Sequence, residues 1–199
     1  MVRSLPVRPN ECVIAVGIPT TSDEFVSAIA QREANYRDFA CGHEFGGLIG
    51  YQHEVIRPFA RCRARLERFG VSIQPAATVQ ALASLFASHR FKVIVLLTHF
   101  IDADVELFDG MIHIDAVSEQ VPPDFSGIID LCMCEPMKLV ARIKQRAPDS
   151  MVGFASARLT PKLWFSFYGD LFSLLRSRDL SYVEAIEKMC LTHQRGGFQ

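Results

Sequence analysis

A chain of 199 residues is long enough for one domain with a substantial core, since proteins of this size bury roughly 70% of their unfolded surface. The composition, 49% hydrophobic and 22% charged, is that of a globular protein, and a formal net charge of -1 argues against nucleic acid as a partner. The longest apolar run, Val93–Leu97, is far shorter than the ~20 residues that span a bilayer, and the N-terminal segment lacks a signal-peptide core. We therefore expect one cytoplasmic domain, residues 1–199, that does not contact a membrane.

The cysteines are too few and too irregularly spaced for a disulfide scaffold in a chain of this length. They are Cys12, Cys41, Cys62, Cys132, Cys134 and Cys190. We expect reduced thiols, of which at least one is available for chemistry.

The first half of the chain alternates strand-like and helix-like segments, a pattern typical of an α/β sheet. Thr21 and Glu24 have the spacing of a capping box, which marks the start of a helix. Gly70 follows a run of apolar residues at helical spacing and is expected to end that helix. The glycine-rich segment 40–52 lacks the strand-then-helix frame of a phosphate loop, so we interpret it as a mobile connection or insertion. The predicted elements are a strand at 12–18, a helix at 22–38, a helix ending at residue 69, a strand at 71–74 and a helix at 78–89.

The second half continues the alternation and contains the most apolar strand, which predicts a mostly parallel sheet with helices on both faces. A small β-hairpin is predicted between the two strands that end in histidine and cysteine, because Asp109 and Gly110 form a favoured two-residue turn. The predicted elements are a central strand at 91–100, the hairpin at 104–115, a strand at 128–134, a helix at 137–147, a strand at 150–157 and two helices that begin after Thr160 and Ser181. A right-handed crossover places the strand at 150–157 beside the cysteine strand.

Two chemically active side chains follow apolar strands in this half. His99 comes directly after one strand, and Cys134 ends the next strand of the predicted sheet. Functional groups of parallel sheets collect at the carboxyl ends of the strands, so the imidazole and the thiol are expected to meet there. A thiolate attacks carbonyl carbon, and an imidazole can hold the thiol proton and later donate it, which together predict nucleophilic catalysis.

These segments resemble the caspase-like cysteine proteases, in particular their bacterial CHAT branch, over most of the chain. Residues 93–100 are similar to the family's apolar strand that ends in His-Gly, and Cys-Met-Cys-Glu at 132–135 is similar to its strand that ends in Ser-Ala-Cys-Glu. Residues 105–131 resemble the hairpin and polar link between those strands. Residues 153–175 resemble the strand that carries Ser-x-Arg and the aromatic helix that follows it.

The resemblance implies a caspase-like fold and a cysteine endopeptidase that cleaves a protein or peptide substrate. His99 would be the general acid/base and Cys134 the nucleophile, while the backbone N–H groups of Phe100 and Cys134 would bind the oxyanion. No metal or cofactor is required by this chemistry. CHAT proteases are often effectors held inactive until a sensor is triggered, so a regulatory protein partner is also implied.

The resemblance also implies a substrate groove lined by Ser156, Ala157 and Arg158, where a peptide would add as an extra strand. Arg158 is the candidate for recognising an acidic side chain, because a guanidinium group matches a carboxylate.

Several alternatives remain open at this point. Asp130-Leu131-Cys132 resembles the Asp-Ser-Cys of metacaspases and would make Cys132 the nucleophile; we favour Cys134 because Glu135 follows it and the strand is predicted to end there. Phe100 stands where the family usually has glycine, which favours a second hypothesis, a catalytically inactive scaffold that binds a partner. A flavodoxin-like ligand-binding module is a third. A zinc site formed by the cysteine pair with His99 and His113 is disfavoured, since Cys-x-Cys lacks the spacing of a zinc knuckle.

Overall fold

The centre of the structure is a five-stranded, fully parallel sheet. It is seen in a computed structural model, which describes residues 6–31, 45–154 and 160–195. The strands in chain order are β1 (Cys12–Val16), β2 (Ser72–Gln74), β3 (Val93–Leu97), β4 (Phe100–Ile101), β5 (Asp104–Leu107), β6 (Gly110–His113), β7 (Ile128–Cys132) and β8 (Met151–Phe154). The main sheet has the order β2-β1-β3-β7-β8, so the prediction of a central β3 beside the cysteine strand is confirmed.

Helices cover both faces of the main sheet, as predicted for an α/β fold. In chain order they are α1 (Ser22–Gln31), α2 (Leu48–Tyr51), a π-helical segment (Gln52–Ile56), α3 (Arg57–Phe69), α4 (Val79–Ala87), α5 (Ile114–Glu119), α6 (Met137–Arg146), α7 (Pro161–Ser177) and α8 (Tyr182–Arg195). Helices α1, α3, α7 and α8 contribute to the core on one face, and α4, α5 and α6 to the core on the other. Within the described ranges, no helix is long and apolar enough to cross a membrane.

The strand β3 is apolar throughout because both of its faces are buried. Val93, Val95 and Leu97 belong to the core under α7 and α8, whereas Ile94 and Leu96 belong to the core under α4 and α6. Alternate side chains of a strand point to opposite faces, so a sheet covered on both sides requires an unbroken hydrophobic run.

Local capping signals place several helix boundaries where the sequence predicts them. The Thr21 hydroxyl accepts from the Glu24 N–H at 3.1 Å, and the Glu24 carboxylate accepts from the Thr21 N–H at 3.2 Å. Gly70 ends α3 in the left-handed region with φ of 92°, where a residue without Cβ is favoured. The helix predicted at 22–38 is described as far as Gln31, and its remainder lies outside the described residues.

The predicted connection at 40–52 is described from Phe45 onward, while 40–44 lie outside the described residues. Phe45 and Tyr51 are buried, and their rings meet edge to face with centroids 5.5 Å apart. The Tyr51 hydroxyl also donates to the Pro19 carbonyl oxygen at 2.7 Å. This part of the segment therefore packs into the core and leads through the π-helical segment into α3.

A second, smaller sheet follows β3 and contains the predicted hairpin. Its strand order is β4-β5-β6, all antiparallel. Leu107 pairs with Gly110, so the two-residue turn is Phe108–Asp109, one position earlier than the predicted Asp109–Gly110. Neither β4 nor α5 was predicted, because segments of two and six residues are too short to show a period.

A buried carboxylate lies in the middle of β7. Asp130 accepts hydrogen bonds from the hydroxyls of Tyr168 at 3.0 Å and Tyr182 at 2.7 Å, which connects the sheet to α7 and α8. Burial raises the pKa of the Asp130 carboxyl, and the two tyrosine hydrogen bonds oppose that shift only in part. Asp130 thus joins the sheet to two helices, but the burial of its carboxyl group is itself unfavourable.

We expect Asp130→Asn to become increasingly stabilising, relative to the native chain, as the pH rises. Above a pH of about 4 the unfolded chain ionises Asp130, whereas the folded state retains the proton, so native stability falls by about 1.4 kcal/mol per pH unit until the folded carboxyl also ionises. Asparagine does not titrate, so the stability of the variant lacks this decline with rising pH. Urea unfolding from pH 4 to pH 8 measures it, with the exposed Asp124→Asn as the control. A difference between the two variants that stays constant with pH would contradict the expectation.

Candidate active site

A cavity of about 890 Å³ opens at the carboxyl edge of the main sheet, where β3 and β7 end. His99 and Cys134 both line it. The far wall is formed by the start of α7, where Pro161 and Trp164 lie, and the near wall by the start of α6 with Met137.

The pairing of β3 with β7 brings the two predicted residues to the same level. Leu97 pairs with Cys132, and the Thr98 N–H donates to the Cys132 carbonyl oxygen at 3.2 Å. His99 and Cys134 each lie two residues beyond this last pair, past the ends of the two adjacent strands.

The two candidate thiols differ in burial. Cys132 is the last residue of β7 and is 1% exposed, and both burial and the nearby Asp130 raise its thiol pKa well above the ordinary value. Both thiols line the cavity, but Cys134 has intermediate exposure. A thiolate is disfavoured at Cys132 because burial removes the water that would stabilise it.

The other described thiols, Cys12 and Cys62, are also buried and free of disulfides. Burial raises the pKa of the Cys62 thiol to about 11 and raises that of Cys12 as well. Cys62 donates to the Phe165 carbonyl oxygen at 3.1 Å and so serves the packing of α3 on α7. Cys41 and the side chain of Cys190 lie outside the described residues.

The chain bends directly after Cys132, and this corrects the predicted strand end at Cys134. Residues 133–135 form a bend, and Glu135 has a φ of 50°, which side chains with a Cβ rarely adopt. The bend takes Cys134 out of the pleat and delivers the chain to the start of α6. Asp102, between β4 and β5, has a φ of 57° and also lines the cavity. Such conformations cost about 1–3 kcal/mol each and cluster at functional sites.

A buried glutamate beside His99 was not identified from the sequence. Glu106 in β5 is fully buried, and its Oε2 lies 4.0 Å from His99 Nε2. In the sequence Glu106 alternates with Val105 and Leu107, a pattern that ordinarily places the polar residue in solvent. Only the position of the small sheet over the end of β3 puts its carboxylate inside.

Close backbone contacts hold β5 against the edge of the main sheet. The Glu106 N–H donates to the His99 carbonyl oxygen at 3.0 Å, and the Thr98 hydroxyl donates to the Glu106 carbonyl oxygen. Gly17, just past β1, lies beneath the same carbonyl: a Cβ there would overlap the Glu106 oxygen and lie 2.7 Å from the Thr98 Oγ1. Glycine is therefore required at position 17 for β5 of the small sheet to pack against the end of β1.

The predicted substrate-binding residues Ser156, Ala157 and Arg158 lie outside the described residues. His113, which was considered only for the disfavoured zinc site, lies 3.3 Å from Asp115 with a side chain 54% exposed. Among the described residues, no cluster of three or more His, Cys, Asp or Glu side chains is placed to hold a metal ion.

Comparison of the sequence with protein-family models and with curated proteins finds no match. A function for the cavity must therefore be inferred from the side chains that line it.

We expect Gly17→Ala to destabilise the fold by about 3 kcal/mol, the upper end of the usual penalty for overpacking, because the new methyl group meets backbone that cannot move aside. Gly46→Ala is the control: a Cβ there meets nothing within 4 Å, so its penalty is limited to the left-handed backbone, about 1–2 kcal/mol. The free energy of unfolding in urea measures both. Equal penalties would show that the small sheet is not seated on Gly17.

Proposed function

We propose that this protein is a cysteine endopeptidase of the caspase-like, CHAT type. The observation that supports this most directly is that His99 and Cys134 line one cavity from equivalent positions beyond the paired ends of β3 and β7. The five-stranded parallel sheet with helices on both faces and the small sheet between the two strands agrees with that family's layout.

In the proposed reaction the proton of the Cys134 thiol moves to the His99 imidazole, and the thiolate attacks the carbonyl carbon of the scissile peptide bond. The C–N bond then breaks as the imidazolium returns the proton to the leaving amine. Water, deprotonated by the neutral imidazole, hydrolyses the resulting thioester and restores the thiol. The proposed oxyanion donors are the backbone N–H groups of Phe100 and Cys134, both at the cavity.

The nucleophile in this proposal is Cys134 rather than Cys132. Cys132 is buried within β7, and its raised pKa keeps it a neutral thiol at physiological pH. Both residues line the cavity, but Cys132 is 1% exposed, whereas the intermediate exposure of Cys134 allows substrate to reach its thiol.

A protein or peptide substrate and a regulatory protein partner are part of the same proposal, and both are supported by the resemblance to CHAT proteases. The cavity adds one constraint on the substrate. Ile18, Met137 and Trp164 line it together with His99 and Cys134, so the residue beside the scissile bond would contact largely apolar walls.

Labelling with iodoacetamide at limiting reagent tests the nucleophile. We expect Cys134 to be alkylated at least tenfold faster than any other cysteine, because the imidazole can stabilise its thiolate. Cys134→Ala should abolish the fast phase, whereas Cys132→Ala should retain it. Mass spectrometry of the digested protein assigns each site. Slow and equal modification of all six thiols would favour the alternative, an inactive scaffold that binds a partner, for which Phe100 at the cavity is the supporting feature.

Cleavage of a mixed peptide library tests the reaction itself. We expect products that the native chain releases and Cys134→Ala does not, and a fall in kcat of at least a hundredfold in His99→Ala, since general acid/base catalysis contributes roughly 10²–10⁴. His113→Ala is the matched control, because that imidazole is exposed and paired with Asp115. Equal loss in both histidine variants would contradict the assignment of His99.

A further inference from the structure

The carboxylate of Glu106 is buried beside the proposed dyad. The side chain of Glu106 is 1% exposed and that of His99 is 13% exposed, and the Oε2–Nε2 distance between them is 4.0 Å. This distance is within ion-pair range but longer than a hydrogen bond. Catalytic contacts of this kind are often long in a resting enzyme and shorten when the charged state forms.

The backbone of Glu106 is held against the end of β3 by contacts on both its N–H and its carbonyl oxygen. Its N–H is bonded to the His99 carbonyl oxygen, and its carbonyl oxygen is held between the Thr98 hydroxyl and Gly17. Opposite it on β6, Met111 is the paired residue. The backbone contacts fix the Cα of Glu106 at the end of β3, and the burial of its side chain keeps the carboxylate near the ring.

A protonated imidazole is a suitable counter-charge for this carboxylate. A buried carboxylate is strongly disfavoured unless it is paired with a cation or neutralised. Among the described residues, the other ionisable side chains that line the cavity are the two thiols, Asp102, Glu135 and Lys138. The Lys138 Nζ lies 3.4 Å from the Asp102 carbonyl oxygen.

We propose that Glu106 is the positioning residue for His99: its carboxylate binds Nε2, which directs Nδ1 toward the Cys134 thiol and stabilises the imidazolium formed when that thiol loses its proton. This inference depends on the proposed function. In the step concerned, one proton moves from Cys134 Sγ to His99 Nδ1, and Glu106 stays ionised throughout. The dyad becomes a Cys-His-Glu arrangement in which the glutamate touches neither substrate nor the reacting atoms.

The test compares Glu106→Gln with the native chain in kcat and KM, on a peptide from the library that the native chain cleaves, and in the pH profile of Cys134 alkylation by iodoacetate. Alkylation by this anionic reagent slows when the imidazolium loses its proton, which gives the profile a basic limb. We expect kcat to fall at least tenfold with KM changed less than twofold, because the lost charge acts on the imidazolium and not on substrate binding. The basic limb of the alkylation profile should move to lower pH, since an imidazolium without a neighbouring carboxylate loses its proton more readily. Glu106→Asp keeps the charge and should keep the basic limb.

Glu184→Gln is the matched control. Glu184 lies in the capping box of α8, where it accepts from the Ser181 N–H and hydroxyl, and it is absent from the cavity lining. The same substitution there should leave both kcat and the basic limb unchanged. A Glu106→Gln protein with the native basic limb and native kcat would overturn the inference.

A double-mutant cycle keeps the test independent of turnover. Urea unfolding of the native chain, Glu106→Gln, His99→Gln and the double variant gives the coupling between the two side chains. We expect coupling at pH 6 that becomes smaller at pH 9, because a neutral imidazole retains only a hydrogen bond to the carboxylate; no coupling at pH 6 would overturn the inference. Full peptide cleavage by Cys134→Ala would instead overturn the proposed function while leaving this coupling in place.

Discussion

The in-register parallel pairing of β3 with β7 is the constraint on which the site depends. Leu97 opposite Cys132 and the hydrogen bond from Thr98 to Cys132 set the two strand ends level. A register shift of one residue would turn one strand's side chains to the other face of the sheet. Because both faces are buried under helices, that shift would also disrupt two cores, so the stability of the fold maintains the geometry of the cavity.

Two buried carboxylates illustrate how surroundings decide the role of the same functional group. Asp130 is satisfied by the hydroxyls of Tyr168 and Tyr182, which are neutral donors, and it joins the sheet to two helices. Glu106 lies beside an imidazole, the one ionisable side chain that changes charge near neutral pH. The hydrogen bonds of Asp130 therefore stabilise the fold, whereas the surroundings of Glu106 suit a site at which a proton is transferred.

The two thiols at the end of β7 show a similar division. A spacing of two would keep Cys132 and Cys134 on one face of a regular strand, and only the bend at 133–135 separates them. The left-handed Glu135 makes the bend sharp enough for α6 to begin two residues later. A strained backbone thus leaves Cys132 buried at the base of the cavity and makes Cys134 the more exposed of the two.

The sequence by itself determined the α/β class, the order of most elements and the two side chains at the strand ends, because these follow from hydrophobic periodicity, capping residues and the rule that parallel strands end at one edge. Tertiary structure alone decided that Glu106 is buried beside His99, that β7 stops at Cys132, and that the short β4 and α5 exist. A glutamate between two apolar residues has the same local pattern whether its face meets water or another sheet. The small sheet packs against Gly17, which is distant from Glu106 in the sequence, so no local pattern encodes this contact.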